Sequence, residues 1–206
     1  MTELETTFTG EPARRYARHA HAVTSRGEAY VAAGDYTSAL AVYRKWQQLE
    51  PKEAQAFRGL GLVYSRLGDY PSATEQLRRS LKLKPDEPQA LLELGYALMQ
   101  QDSLDSAEAA DRQAIAANPW SAGGYANLAT VYLKRGNVQP AIEALQTAAE
   151  LRPGLAAVQF ELAQAYAQLG QIQAAASALE RGLEFDRHNP TARQMLQSLR
   201  RVSLKR

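Results

Sequence analysis

Between Ala54 and Glu87, apolar and small residues fall at Phe57, Leu60, Gly61 and Tyr64. This i, i+3, i+4, i+7 spacing gathers them on one face of an α-helix. Gly68-Asp69 predicts its end, because glycine takes the left-handed conformation that closes a helix. Tyr70-Pro71 then opens a second helix, with proline near the first turn where no backbone donor is needed. Ala73, Leu77, Ser80 and Leu81 line the inner face of that helix, and Pro85 stops it. The stretch therefore predicts one helix hairpin.

The same landmarks return every thirty-four residues. Stop prolines fall at Pro51, Pro85, Pro119 and Pro153. The small residue where two helices approach is Gly27, Gly61, Gly95, Ala129 and Ala163, and the inner alanine of the second helix is Ala39, Ala73, Ala107, Ala141 and Ala175. An aromatic recurs at Tyr30, Tyr64, Tyr132 and Tyr166, with Leu98 in the third copy; the turn residue is Gly34, Gly68, Asp102, Gly136 and Gly170. In period and landmarks the chain resembles the tetratricopeptide repeat (TPR) family. The resemblance implies an all-α, right-handed superhelical α-solenoid of five TPR helix hairpins, with an extended first helix and a C-terminal capping helix. Its expected organisation is a flexible N-terminal segment over 1–11, a TPR domain over 12–189 with units at about 20–53, 54–87, 88–121, 122–155 and 156–189, and a capping helix with a basic end over 190–206. The signature residues are packing residues, so they specify fold more than function.

Departures from the repeat mark particular places. Leu4 and Phe8 are the apolar residues of the N-terminal segment, and Tyr16, Ala20, Val23, Gly27 and Tyr30 keep a helical spacing that starts the first helix upstream of its repeat. Trp46 stands where alanine is usual, and Gly59 in the next hairpin is the expected source of room. Unit three is acidic, one basic and five acidic residues against six and four in unit two. Its Asp111 replaces Tyr43, Leu77, Leu145 and Leu179, and is expected to be partly exposed and paired with an arginine, or else to touch a partner. In the tail, Ala192, Met195, Leu196, Leu199 and Val202 form one apolar face that suits a cap, while Arg200-Arg201-Val202-Ser203 resembles a basophilic kinase site.

Composition narrows the chemistry. A net charge of +2 gives no global drive toward nucleic acid or acidic membranes, and the absence of cysteine excludes disulfides and thiolate metal sites. The opening MTELETTFTGEPARR has acids before any apolar run, which is not a secretory signal, and no run approaches a bilayer span. A cytoplasmic protein is expected. His19 and His21 lie on different sides of a helix and His188 is remote, so no metal site is expected. Gly59-Leu60-Gly61 sits inside a helix rather than between strand and helix, which excludes a phosphate loop. No nucleophile elbow is present, and Glu75, Glu93 and Glu108 read as spread along solvated faces. No cofactor and no catalysis are expected.

The family resemblance implies that the first helices line a concave groove that receives peptides or helices. At about 100° per residue, positions 2, 5, 9 and 12 of each unit point away from the stripe at 4, 7, 8 and 11. The expected partner-binding residues are Arg58, Leu62, Leu92, Tyr96, Met99, Thr130, Leu133 and Phe160, with Asn127 beside them. Their apolar middle suits a protein or peptide with an apolar or amphipathic segment, in a scaffold, adaptor or assembly factor, and leaves self-association open. The alternative is an RNA-binding helical repeat anchored by the basic tail. A groove with one arginine argues against it. Family members that grip acidic chaperone tails need a clamp of Lys and Asn, Asn, then Lys and Arg. In the three registers the matching residues are Thr24, Glu28, Gly59, Gln89 and Glu93; Arg58, Leu62, Glu93, Gly123 and Asn127; or Leu92, Tyr96, Asn127, Ala157 and Glu161, none of which supplies it.

Overall fold

A computed structural model describes residues 11–203, with side chains over 19–201. Leu4 and Phe8, and the side chains of Tyr16, Val202 and Ser203, lie outside the described residues. Among those described, eleven α-helices and no strand follow in order: α1 (Glu11–Ala32), α2 (Tyr36–Leu49), α3 (Ala54–Leu67), α4 (Tyr70–Leu83), α5 (Pro88–Gln100), α6 (Leu104–Ala117), α7 (Ala122–Lys134), α8 (Val138–Leu151), α9 (Ala156–Gln168), α10 (Ile172–Phe185) and α11 (Pro190–Ser203). This is an all-α helical-repeat fold. The chain divides into two compact units, Met1–Ala97 and Leu98–Arg206, with the division inside α5.

Local chemistry explains the helix ends. Asp35 and Asp69 accept hydrogen bonds from the backbone N–H of Ser38 at 3.0 Å and Ser72 at 3.2 Å, satisfying donors that a helix start leaves bare. Gly34, Gly68, Gly136 and Gly170 close first helices with φ between 69° and 78°. The third hairpin places Asp102 at φ 58°, a conformation that aspartate tolerates better than most side chains.

In the first unit, Ala39, Tyr43, Trp46, Ala56, Leu60 and Val63 form a buried cluster, with Ala73 and Leu77 also fully buried. The stripe read from the sequence is only part of the buried face. The third and tenth positions, Ala56 and Val63, are inaccessible, whereas the eleventh, Tyr64, is partly buried and accepts a hydrogen bond from Arg44 at 3.0 Å. Tyrosine at this position keeps its hydroxyl at the surface because burying an unpaired hydroxyl is costly.

Tyr43 shows how tightly successive hairpins meet. A Cβ added to either Gly27 or Gly59 would overlap its ring, so one aromatic fills the space that two glycines vacate. Gly59 therefore makes room for Tyr43 and not, as expected, for Trp46. Trp46 is buried differently: its Nε1 donates to Glu50 at 3.0 Å, and its ring borders a hollow beside His19 and Val23 of α1. The other hairpins carry small residues there, Ser80, Ala114, Ala148 and Gly182.

In the second unit, Ala122, Ala129, Leu145, Ala148, Leu162, Ala163, Leu179 and their neighbours share one core with Ala192, Leu196 and Leu199 of α11. Counted from Pro190, those three fall at positions 3, 7 and 10, the most buried set of a first helix. Arg200 at position 11 bonds Glu180 at 2.8 Å, twenty residues back, as Tyr132 meets Arg112 at 3.2 Å and Tyr166 meets Gln146 at 2.9 Å. The tail helix thus covers α10 by repeating first-helix packing.

Two stability measurements check these contacts. Gly59→Ala is expected to cost about 1–3 kcal/mol by overpacking. Tyr43→Leu should remove most of that increment, so a double-mutant cycle by chemical denaturation reads a coupling near the full cost. Ending the chain at Asn189 should lower the melting temperature and promote association on gel filtration, since each large side chain uncovered forfeits roughly 1.5–3 kcal/mol of burial before entropy is subtracted.

Candidate binding face

In the first unit, α1, α3 and the start of α5 present their face through one central arginine. Arg58 Nη1 meets Glu93 Oε1 at 2.9 Å and Nη2 meets Glu28 Oε1 at 3.2 Å. The side chains of Arg58 and Glu93 are 14% and 17% exposed, that of Glu28 49%. Glu93 is therefore not on a solvated face as expected. It occupies the sixth position of its repeat, the one that buried Gly59 holds in the hairpin before it. Burial pushes the Glu93 carboxyl above the ordinary range, and Arg58 pulls it back. Glu108 also departs from the expectation, lying between Arg112, at 2.8 Å, and Arg135, whereas Glu75 is exposed beside Arg79.

The expected apolar residues of α3 and α5 are only partly covered. Leu62 and Leu92 are half-buried, and Tyr96 is 37% exposed with its ring edge-on to Tyr70, centroids 6.2 Å apart and planes at 73°. On the Glu28 side lies a hollow of about 460 Å³ bordered by His21, Thr24, Glu28, Glu53 and Gln55, where Thr24 Oγ1 donates to Gln55 Oε1 at 3.1 Å.

The second unit treats its expected residues differently. Met99 is 5% exposed, so the thioether belongs to the core and not to an open face. Asn127 is turned inward, where Nδ2 donates to Asp111 Oδ1 at 3.2 Å. Thr130 Oγ1 lies 3.0 Å from the Ala126 carbonyl and also beside Glu161, and its one proton serves either acceptor; burial raises the pKa of Glu161 and a bond from Thr130 lowers it. Leu133 and Phe160 are half-buried, the Phe160 ring lying across Gly182, where an added Cβ would collide with it.

Asp111 overturns the expectation of an exposed, arginine-paired carboxylate. It is 0% exposed, Oδ2 has no hydrogen-bond partner among the described residues, and burial pushes its pKa up to about 7 against the hydrogen bond from Asn127. The signal was present in its sisters: Tyr43, Leu77, Leu145 and Leu179 are large, carbon-rich and buried, so this position belongs to the core.

The described residues contain no group of three or more His, Asp or Glu that could hold a metal ion, and none of their helices is long and apolar enough to cross a membrane. Fold and face together define a helical-hairpin repeat protein with a mixed apolar and ion-paired surface on its first helices. A family model described as the cilia and flagella-associated protein 70 middle TPR-like domain matches residues 27–152, and one described as tetratricopeptide repeat matches 136–199. The chain belongs to the tetratricopeptide repeat family. No curated protein matches the sequence. Among solved structures, MamA is 27% identical with a TM-score of 0.67, covering 78% of this chain and 94% of its own. PilF of Pseudomonas aeruginosa is 20% identical with a TM-score of 0.81, covering 90% and 85%. TTC0263, a thermophilic TPR protein of Thermus thermophilus, is 20% identical with a TM-score of 0.75, covering 87% and 98%. Proteins of this fold generally mediate protein–protein interactions and are typically non-enzymatic.

The raised pKa of Asp111 sets a pH dependence with a definite sign. Its folded value of about 7 lies above the ordinary 3.8, so its contribution is full at acid pH and lost as pH rises toward 7 and beyond. Asp111→Asn removes this loss. Thermal denaturation from pH 4 to pH 8 should show the variant gaining on the parent by a few kcal/mol, most of it between pH 5 and 8.

Proposed function

We propose that this protein is a non-enzymatic interaction scaffold, an adaptor or assembly factor of the cytoplasm, that receives an apolar or amphipathic helix or peptide of a protein partner on the face of its first helices. The observation that carries this reading is that Leu62 of α3 and Leu92 and Tyr96 of α5 stay partly or fully exposed on the two helices whose Arg58 and Glu93 pair, the charge of Arg58 being met by Glu28 and Glu93. Such a surface offers carbon and a neutralised centre, so an apolar side chain docks there without stranding a charge. In the second unit, taken by itself, Thr130, Leu133 and Phe160 are the residues of the first helices proposed for contact, while buried Met99 and inward-turned Asn127 drop out. Engagement of Arg58 by two carboxylates also favours a protein over RNA, since it occupies the cation that a phosphate would need. The same engagement suits the lack of a clamp for acidic chaperone tails.

The test is a pull-down from lysate with and without nuclease, repeated with Leu92→Glu/Tyr96→Glu. Nuclease should leave capture unchanged. The double substitution should abolish capture with helical content retained, because a buried unpaired carboxylate against an apolar partner costs several kcal/mol. Unchanged capture by the double variant would remove this face as the site.

A further inference from the structure

A second hollow, of about 330 Å³, opens between α1 and α2. His19, Ala22, Val23 and Arg26 border it, a different side of α1 from the His21, Thr24 and Glu28 that border the hollow beside Glu28. Its apolar walls are Ala22, Val23, Val42 and Leu49, the last 67% exposed, and Trp46 is its aromatic surface. The indole N–H is already committed to Glu50, so the ring offers carbon alone.

Three basic side chains, His19, Arg26 and Lys45, border this apolar surface, and no acidic residue does. None of the three has an acidic partner among the described residues. Arg26 meets only Tyr30, with Nη2 donating to the hydroxyl at 3.4 Å and the guanidinium 5.7 Å from the ring centroid. Arg58 and Arg135, by contrast, are each held by two carboxylates. An apolar cavity with unneutralised positive charge at its edge matches an anion that carries carbon. A bare anion would leave the walls wet, and a purely apolar group would leave the cations unmet. The volume is at the lower end of the roughly 300–1,000 Å³ of ligand pockets, room for one or two side chains rather than a whole helix.

We propose that this hollow is a second docking site, separate from the first-helix face, for a segment of a protein partner in which Leu or Phe is flanked by Glu or Asp. The apolar side chain enters against Trp46, and the acids pair with Arg26 and Lys45. Docking of a second copy through its tail helix is disfavoured, because Arg193, Arg200 and Arg201 would face like charge.

The chain has two tryptophans, and Trp120 is exposed, so Trp120→Phe in the full chain leaves Trp46 as the sole indole reporter. The probe is the peptide acetyl-Asp-Glu-Leu-Phe-Glu-Asp-amide, titrated while emission is recorded. A saturable change is expected, weakened at least about tenfold by Lys45→Glu and by raising salt from about 0.05 to 0.5 M, with circular dichroism unchanged. The same peptide with Lys for its acids should give no response, and Leu92→Glu/Tyr96→Glu should leave the titration unaltered. No response at millimolar peptide, or an equal response in the Lys45→Glu protein, overturns the proposal. So does a response to dodecanoate but not to peptide, which assigns the hollow to lipid. A change that follows protein concentration without peptide assigns it to a second copy, and one produced by Leu4→Glu alone assigns it to the chain's own N-terminus; either overturns the proposal.

Discussion

The closeness with which two α-helices pass at a residue without bulk is the constraint on which the other contacts rest. At Gly61, an added Cβ would come within 2.5 Å of the Leu77 side chain and 3.3 Å of the Ala73 carbonyl. Helices that near exclude water along their line of contact, and close packing converts the exclusion into many small dispersion gains. Alanine on the second helix, inaccessible at Ala39, Ala73, Ala107, Ala141 and Ala175, completes the approach. Once the helix pair is fixed this tightly, the faces left over are fixed too, including the face that carries Arg58.

Close approach has an electrostatic cost wherever a polar side chain falls on the contact line. Burial raises the pKa of Glu93, Asp111 and Glu161 alike, and each has found a different remedy. Glu93 has a guanidinium, Asp111 an amide and Glu161 a hydroxyl. Only the first is a full countercharge, and it draws Arg58 away from solvent. The electrostatics of the candidate face are thus set partly by a largely buried carboxylate.

Sequence periodicity made the helices, the turns and the repeat frame legible, because each is governed by local spacing and backbone preference. Periodicity does not report what a helix meets on its flanks. Val63 and Ala56 fall outside the stripe drawn from Phe57, Leu60, Gly61 and Tyr64, yet they are the more buried, since the neighbouring hairpin covers that flank. Met99 fell on the wrong side of the same boundary. Asp111 departs from expectation for another reason: a charged side chain suggests the surface, whereas its place in the repeat, shared with four core residues, dictates burial. Helical angle alone sets Leu62, Leu92 and Tyr96 off the core stripe, where they are partly or fully exposed, whereas the partnership of Arg58 with residues thirty and thirty-five positions away needed coordinates.

Pairs sixteen residues apart carry one more consequence. Tyr43 requires the emptiness of Gly59, and Asp111 requires the amide of Asn127. These two junctions are therefore keyed to different residues, and the keys do not interchange: a tyrosine set against asparagine would be crowded, and an aspartate set against glycine would be stranded. Hairpins that look alike by signature are thus not exchangeable modules at these two junctions, and their order is part of what the fold specifies.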